Sequence, residues 1–303
     1  MVDLSVDLGF LKLKNPVLGA SGTFGYGLEF KPFYDLELLG GFVVKGLYLK
    51  PREGNRPPRL VETPAGLINS IGLQGIGVEA FCRDILPELS GLKTAIIVNV
   101  CGEEEDEYAR VAEYLSRHQG IAALELNISC PNVREGGRCP AQSPEATYRT
   151  VKKVKQAVSL PLITKLSPNV TDITAVALAA EEAGTEAISL INTLLAMAID
   201  PETRQPKLGN VMGGLSGPAI KPIALRMVFQ VARAVKVPLI GLGGIFSAED
   251  VLEFMMAGAS AVQVGTANFV DPDACLNIIR GLETWAENHG LQNLSQVTGS
   301  LKV

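Results

Sequence analysis

The stretch Ala122-Ala-Leu-Glu-Leu-Asn-Ile-Ser-Cys-Pro-Asn132 decides how the chain is read. Residues Ala122 to Ile128 make a short, mostly apolar run of the kind that fills a buried strand, and Pro131 biases Cys130 toward extended or turning backbone. Cys130 is therefore expected at a strand's exit, as a candidate reactive thiol. The competing reading is an inert packed cysteine, since a free cysteine behaves as a small hydrophobe. The rest of the chain bears on that choice.

Seven more β-like runs accompany this one: Pro16 to Gly19, Gly41 to Lys45, Ala95 to Asn99, Pro161 to Lys165, Ala187 to Asn192, Val237 to Gly241 and Ala261 to Gly265. Between them, Glu103 to His118, Pro144 to Val158, Asp172 to Ala183, Pro218 to Val235 and Ala248 to Ala257 show helical apolar spacing with charged faces. Alternating strands and helices predict an α/β fold, a parallel (β/α)8 TIM barrel with its active site at the strands' C-terminal ends. An open doubly wound sheet is the alternative. No shorter repeat, low-complexity segment or linker-like shift appears, so one domain is expected over residues 1–303. Gly46 to Gly75 and Thr193 to Gly217, after strands 2 and 6, exceed the roughly 12 to 15 residues at which connections are usually functional or locally folded. Decoration or an oligomer contact is the other reading of such loops.

Composition narrows the function classes. With 47% hydrophobic residues among 303, the chain can bury a large core; its net charge of −5 gives no broad electrostatic case for nucleic acid or an anionic membrane. The start Met1-Val-Asp-Leu-Ser5 has no signal-peptide pattern, and apolar stretches such as Ile173 to Ala180 fall short of the roughly 18 residues of a bilayer helix. Five cysteines, at 82, 101, 130, 139 and 275, include no C-x-x-C pair; the odd number suits a reducing compartment, and a cytoplasmic location is expected. Their spacing matches no iron–sulfur ligand set, so a cluster would have to sit on another chain. His118 and His289 fall in amphipathic stretches and read as surface residues rather than metal ligands. The acidic run Glu103 to Glu107 reads as a solvated helix start.

Glycines mark an anion-binding end. Gly241-Leu-Gly-Gly-Ile245 follows the seventh run and Val264-Gly-Thr-Ala267 the eighth, where barrels commonly hold phosphate through backbone amides. Ser216-Gly-Pro-Ala-Ile220 offers a further helix N-terminus. Each pair alone would be a turn; the three together predict a phosphate-bearing ligand. Gly19-Ala-Ser-Gly-Thr-Phe-Gly25 lacks G-x-G-x-x-G spacing, which argues against a self-contained dinucleotide site. Polar residues also recur at strand exits: Lys45, Asn99, Asn127, Lys165 and Asn192-Thr193, with Asn69 in the first long loop. Asparagines offer donors and acceptors to an amide-rich heterocycle and lysines balance negative charge. This pattern alone does not identify the heterocycle.

Asn15-Pro-Val-Leu-Gly-Ala-Ser-Gly-Thr-Phe-Gly-Tyr-Gly27, Pro51-Arg-Glu-Gly-Asn-Arg-Pro-Pro-Arg59, Asn69-Ser-Ile-Gly-Leu73, Asn127-Ile-Ser-Cys-Pro-Asn132 and Gly213-Gly-Leu-Ser-Gly-Pro218 together resemble class 1 dihydroorotate dehydrogenases over nearly the whole chain. Ala20 to Gly25 and Asn192 to Asp200 bring it closest to the catalytic subunit of the NAD-linked class 1B form. The resemblance implies an FMN enzyme oxidising dihydroorotate to orotate in pyrimidine biosynthesis, with Cys130 as the base. A thiolate suits that role, given a free thiol pKa of about 8.5 that the site must lower or alkaline pH must reach. Class 2 enzymes carry serine there and an N-terminal extension.

Carried over residue by residue, the resemblance implies FMN contacts at Ser21, Lys45, Gly46, Asn99, Asn127, Lys165, Ile191, Gly217, Gly243, Gly244, Gly265 and Thr266. It implies substrate contacts at Lys45, Asn69, Ser70, Ile71, Gly72, Leu73, Asn127, Asn192 and Thr193. Lys165 is the candidate for stabilising reduced, anionic flavin, and Pro131 to Pro140, after strand 4, for a water-excluding lid. Class 1B further implies a partner subunit carrying FAD and a [2Fe–2S] cluster, in a heterotetramer of two catalytic and two partner chains. The missing cluster ligands and dinucleotide motif agree equally with fumarate-linked class 1A enzymes. Apart from the resemblance, three readings stay open: a non-redox barrel isomerase or lyase acting on a phosphorylated metabolite, a flavin enzyme acting on another pyrimidine, and a silent binding scaffold.

Overall fold

The computed structural model describes residues 2–129 and 140–303. Cys130, and the expected lid up to residue 139, lie outside the described residues. Eight parallel strands close a barrel: β1 Val17–Gly19, β2 Gly41–Leu47, β3 Ala95–Val100, β4 Ala123–Leu126, β5 Leu162–Lys165, β6 Ala187–Leu190, β7 Leu239–Leu242 and β8 Ala259–Val264. They run in chain order around the ring. Pairing of β8 with β1, at Val262 with Val17 and Val264 with Gly19, closes it and excludes the open sheet.

Two-sided burial explains the apolar runs that announce these strands. Ile97, Val98, Leu124, Leu126, Leu162 and Ile163 are fully buried. Successive residues face opposite sides of a strand. In β4, Leu124 and Leu126 therefore face the helical layer, while Glu125 points into the barrel, where it meets side chains from four other strands.

Among the described residues, six helices of nine or more residues pack outside: α1 Glu105–Ser116, α2 Pro144–Ala157, α3 Ile173–Glu182, α4 Lys221–Ala232, α5 Ala248–Met256 and α6 Ala274–Asn288. In α1, Tyr108, Val111, Ala112 and Leu115 are buried at helical spacing. The caps are those the sequence supplies. Ser143 accepts from Ala146 N–H, Asp172 from Thr174 and Ala175 N–H, and Ser247 with Asp250 forms a capping box. The acidic run lies at the surface at the start of α1, as expected, and there Glu103 pairs with Arg52, Glu105 with Arg149 and Asp106 with Lys153.

The long connections after β2 and β6 are not irregular loops. Leu60–Thr63, Gly66–Asn69, Met212–Ser216 and Leu194–Met197 form one four-stranded antiparallel sheet, with Asn69 opposite Gly214 and Leu215 opposite Ile68. The two insertions are thus joined to each other, and each adds residues to the rim of the same cavity. No helix among the described residues is long and apolar enough to cross a membrane.

Candidate active site

A cavity of about 360 Å³ lies at the C-terminal ends of the strands, where a parallel barrel binds its ligands. Its wall includes Ser21 after β1, Lys45 and Gly46 of β2, Asn127 after β4, Lys165 of β5, and Ile191, Asn192 and Thr193 after β6. Gly243 and Gly244 after β7, with Gly265 and Thr266 after β8, complete the circuit. Gly217 comes from the segment leading into α4, and Asn69, Ile71, Gly72 and Leu73 from the excursion after β2. Residues far apart in sequence thus share one space of ligand size.

Two expected contacts do not line this cavity. Asn99 is fully buried one layer below, donating from Nδ2 to Glu125 Oε1 at 2.7 Å and accepting at Oδ1 from Asn127 Nδ2 at 3.2 Å. Ser70 is also fully buried; its Oγ accepts from Asn55 Nδ2 at 3.0 Å and its N–H donates to the Arg59 carbonyl at 2.7 Å. Arg59 in turn donates to Gln74 Oε1 and to the carbonyls of Asn55 and Glu53. Ser70 therefore braces the flap that presents Asn69 and residues 71–73.

The floor of the cavity is a connected polar network. Asn192 Nδ2 donates to Ser129 Oγ at 2.8 Å and to Asn127 Oδ1 at 3.3 Å, and Ser129 Oγ donates to Asn127 Oδ1 at 3.2 Å. These bonds hold the exits of β4 and β6 together immediately before Cys130 in the chain. Below them, Lys165 Nζ lies 3.4 Å from Glu125 Oε1, with both side chains almost fully buried. Lys45 is half-buried at the rim, and burial pushes its pKa below the usual lysine value; Glu29 opposes this and Arg59 adds to it.

The glycine positions have steric reasons. A Cβ on Gly46 would stand 2.6 Å from Cys101 Sγ and 2.8 Å from Asn99 Oδ1. Gly244 has φ +78°, and a Cβ there would meet Lys221 N at 2.8 Å and Gly217 O at 2.9 Å. The backbone of the β7 exit thereby packs against the start of α4, bringing main-chain groups and a helix N-terminus to one corner of the cavity. The chemistry of the wall fits a flavin mononucleotide. There is a glycine-lined corner for a phosphate, an amide-rich face for a polar heterocycle, and two lysines for negative charge. Gln263, on the wall and 1% exposed, adds an acceptor: its Oε1 is buried and has no hydrogen-bond partner among the described residues. Buried polar atoms are normally hydrogen-bonded, and an N–H of such a heterocycle would supply the partner this oxygen lacks.

Sequence reasoning missed Glu125, Ser189 and Gln263 as parts of this assembly. Their signal was a polar residue at an inward position of an otherwise apolar strand, Glu125 between Leu124 and Leu126 and Gln263 between Val262 and Val264.

Known proteins share this sequence over its length. The family model described as dihydroorotate dehydrogenase matches residues 3–285. The chain is 55% identical over 300 residues to a Pelobacter propionicus protein, covering 99% of each, and 56% identical over 299 residues to one from Trichlorobacter lovleyi, covering 99% of this chain and 98% of the other. It is 52% identical over 303 residues to a protein of Bacteroides thetaiotaomicron, covering all of both. All three relatives are named as the catalytic subunit of dihydroorotate dehydrogenase B (NAD(+)). With a family match from residue 3 to 285 and relatives aligned end to end, the chain belongs to the dihydroorotate dehydrogenase family.

Proposed function

We propose that this chain oxidises (S)-dihydroorotate to orotate in de novo pyrimidine synthesis, as a single barrel domain holding FMN. The observation that carries the reading is one cavity at the barrel mouth that joins Lys45, Asn127, Lys165 and Asn192 with the glycine corner. Bound FMN supplies the two-electron acceptor for the hydride that leaves the substrate ring. Cys130 is the base that takes the proton from the adjacent carbon, beside the ring carbonyl. Lys45, at the half-buried rim, pairs with the substrate carboxylate, and Asn69, Asn127, Asn192 and Thr193 orient the ring through its amide groups. Ser21, Gly46, Ile191, Gly217, Gly243, Gly244, Gly265 and Thr266 cradle the cofactor, and Lys165 balances the charge it gains on reduction. Asn99 and Ser70 serve this site from behind, by fixing Asn127 and the flap.

The relatives' names, which specify a catalytic subunit and NAD(+), support a partner that passes electrons onward. That partner carries FAD and a [2Fe–2S] cluster, in a cytoplasmic heterotetramer of two catalytic and two partner chains. Two measurements test the reading. Flavin released by denaturing the purified chain should have the mass of FMN, with FAD or no flavin contradicting it. Orotate formation by the chain with its co-expressed partner should depend on NAD; turnover driven by fumarate alone would remove the NAD link.

A further inference from the structure

We infer that Glu125 is a positioning residue that fixes the hydrogen-bond polarity of the cavity floor and offsets the charge of Lys165, thereby holding down the reduction potential of the cofactor. The inference rests on the FMN reading above. Glu125 is fully buried at the centre of the barrel. Its two oxygens meet donors from four different strands: Asn99 Nδ2 at 2.7 Å and Lys165 Nζ at 3.4 Å on Oε1, Ser189 Oγ at 2.9 Å and Gln263 Nε2 at 2.5 Å on Oε2.

An ionised carboxylate only accepts, so it dictates which end of each neighbouring amide faces it. Asn99 must turn Nδ2 down to Glu125, which leaves Oδ1 up to accept from Asn127 Nδ2 and from Cys101 Sγ. Asn127 must then offer Oδ1 to Ser129 and Asn192. Gln263 likewise spends Nε2 on Glu125, and its Oε1 is left as a buried acceptor with no partner among the described residues. One carboxylate thus sets the donor and acceptor pattern from the core to the substrate end.

It also sets the charge. Lys165 lines the cavity and is a cation available to a reduced, anionic flavin, yet a buried counter-charge stands beside it. At low effective dielectric that neighbour weakens the attraction of the ammonium for further negative charge. Replacing Glu125 by glutamine removes the counter-charge while keeping its volume, so any species that places negative charge on the flavin should become more stable.

Sulfite is the probe: its sulfur lone pair adds to flavin N5 and leaves negative charge on the ring, bleaching the visible band. With FMN-loaded protein, E125Q should bind sulfite at least tenfold more tightly than the unmodified chain. A tenfold stabilisation of the two-electron-reduced form corresponds to an upward shift of about 30 mV in midpoint potential. K165M should move both readings the opposite way, and E125Q/K165M should fall between the two. A merely structural role would loosen FMN without opposite signs in the two variants. If E125Q does not fold, Glu125→Asp, which withdraws the charge by one methylene, should shift sulfite affinity in the E125Q direction by a smaller factor. Unchanged or weaker sulfite binding in the E125Q holoprotein, or in E125D should that be the folded variant, overturns the inference alone. An unmodified chain that takes up no FMN overturns the flavin reading as well.

Discussion

Asn192 Nδ2 donates to Ser129 Oγ at 2.8 Å, tying the end of β6 to the residue that precedes Cys130. Ser129 is fully buried and passes the bond on to Asn127 Oδ1. Asn192→Ala removes every bond of the tie, whereas Ser129→Ala leaves the 3.3 Å bond from Asn192 to Asn127 and the 3.4 Å bond to the Ser129 carbonyl in place. Misplacement by about 1 Å at a reacting centre is worth on the order of 100-fold. N192A is therefore expected to lower kcat/KM for dihydroorotate by about 100-fold and S129A by about tenfold. Equal losses in the two variants would mean that the tie is not what positions the strand exit.

A second prediction concerns Lys45. Burial, with Arg59 adding to it and Glu29 opposing it, holds the folded-state pKa below the lysine reference of about 10.4. The ammonium is then lost in the folded chain at lower pH than in the unfolded one. Between the two values the unfolded state binds more protons, so this group's contribution to stability rises with pH there. Binding of the orotate anion has the opposite sense: its affinity should fall as pH rises, starting below the ordinary lysine range. Titrating orotate against the flavin spectrum at several alkaline pH values should show this limb in the unmodified chain and not in K45M. The same slope in K45M would assign the titration elsewhere.

Asp250 carries a stability prediction. Its carboxylate accepts from Phe246 N–H at 2.7 Å, Ser247 N–H at 3.0 Å and Lys221 Nζ at 2.6 Å, pinning the start of α5 to the start of α4 beside Gly244. Burial pushes its pKa up, but Lys221 and the two N–H donors outweigh that and hold it below the usual carboxylate value. The stabilisation is present above the unfolded pKa of about 3.9 and is lost as pH falls through the folded value. D250A should lose about 1–2 kcal/mol at neutral pH, in line with removal of a capping residue. In urea titrations the deficit should shrink toward pH 3; a deficit independent of pH would contradict the ionic account.

Cys130 carries the chemical prediction. Cys130→Ala should retain FMN and dihydroorotate binding while flavin reduction slows by about 10²- to 10⁴-fold, the range typical of a removed general base. Stopped-flow reduction under anaerobic conditions reads this directly. Normal reduction kinetics in the variant would remove Cys130 from the base role.

The parts of this molecule that repeat were legible in its sequence. Apolar runs such as Ala95 to Asn99 and Pro161 to Lys165 announce buried parallel strands because both faces are covered, and their recurrence announces the barrel. The glycines at 243, 244 and 265 and the polar exits at 45, 127, 165 and 192 fall on one cavity because parallel strands end on one side. What stayed hidden depends on contacts distant in sequence. The pairing of Asn69 with Gly214 joins two insertions separated by 145 residues, and neither strand shows a marked alternation by itself. Asn99 resembled its neighbours at the strand exits, yet its amide faces a carboxylate one layer below. Glu125 was hidden for the same reason: its four partners come from four strands, and no local pattern brings them together.

The most direct test of the central claim is an anaerobic visible spectrum of the purified, FMN-loaded chain before and after addition of dihydroorotate. The expected result is a yellow protein whose flavin band bleaches on mixing, with orotate formed in proportion to the flavin reduced. A yellow protein that keeps its band would contradict dihydroorotate as the substrate. A chain that stays colourless after incubation with FMN would contradict the flavin site itself.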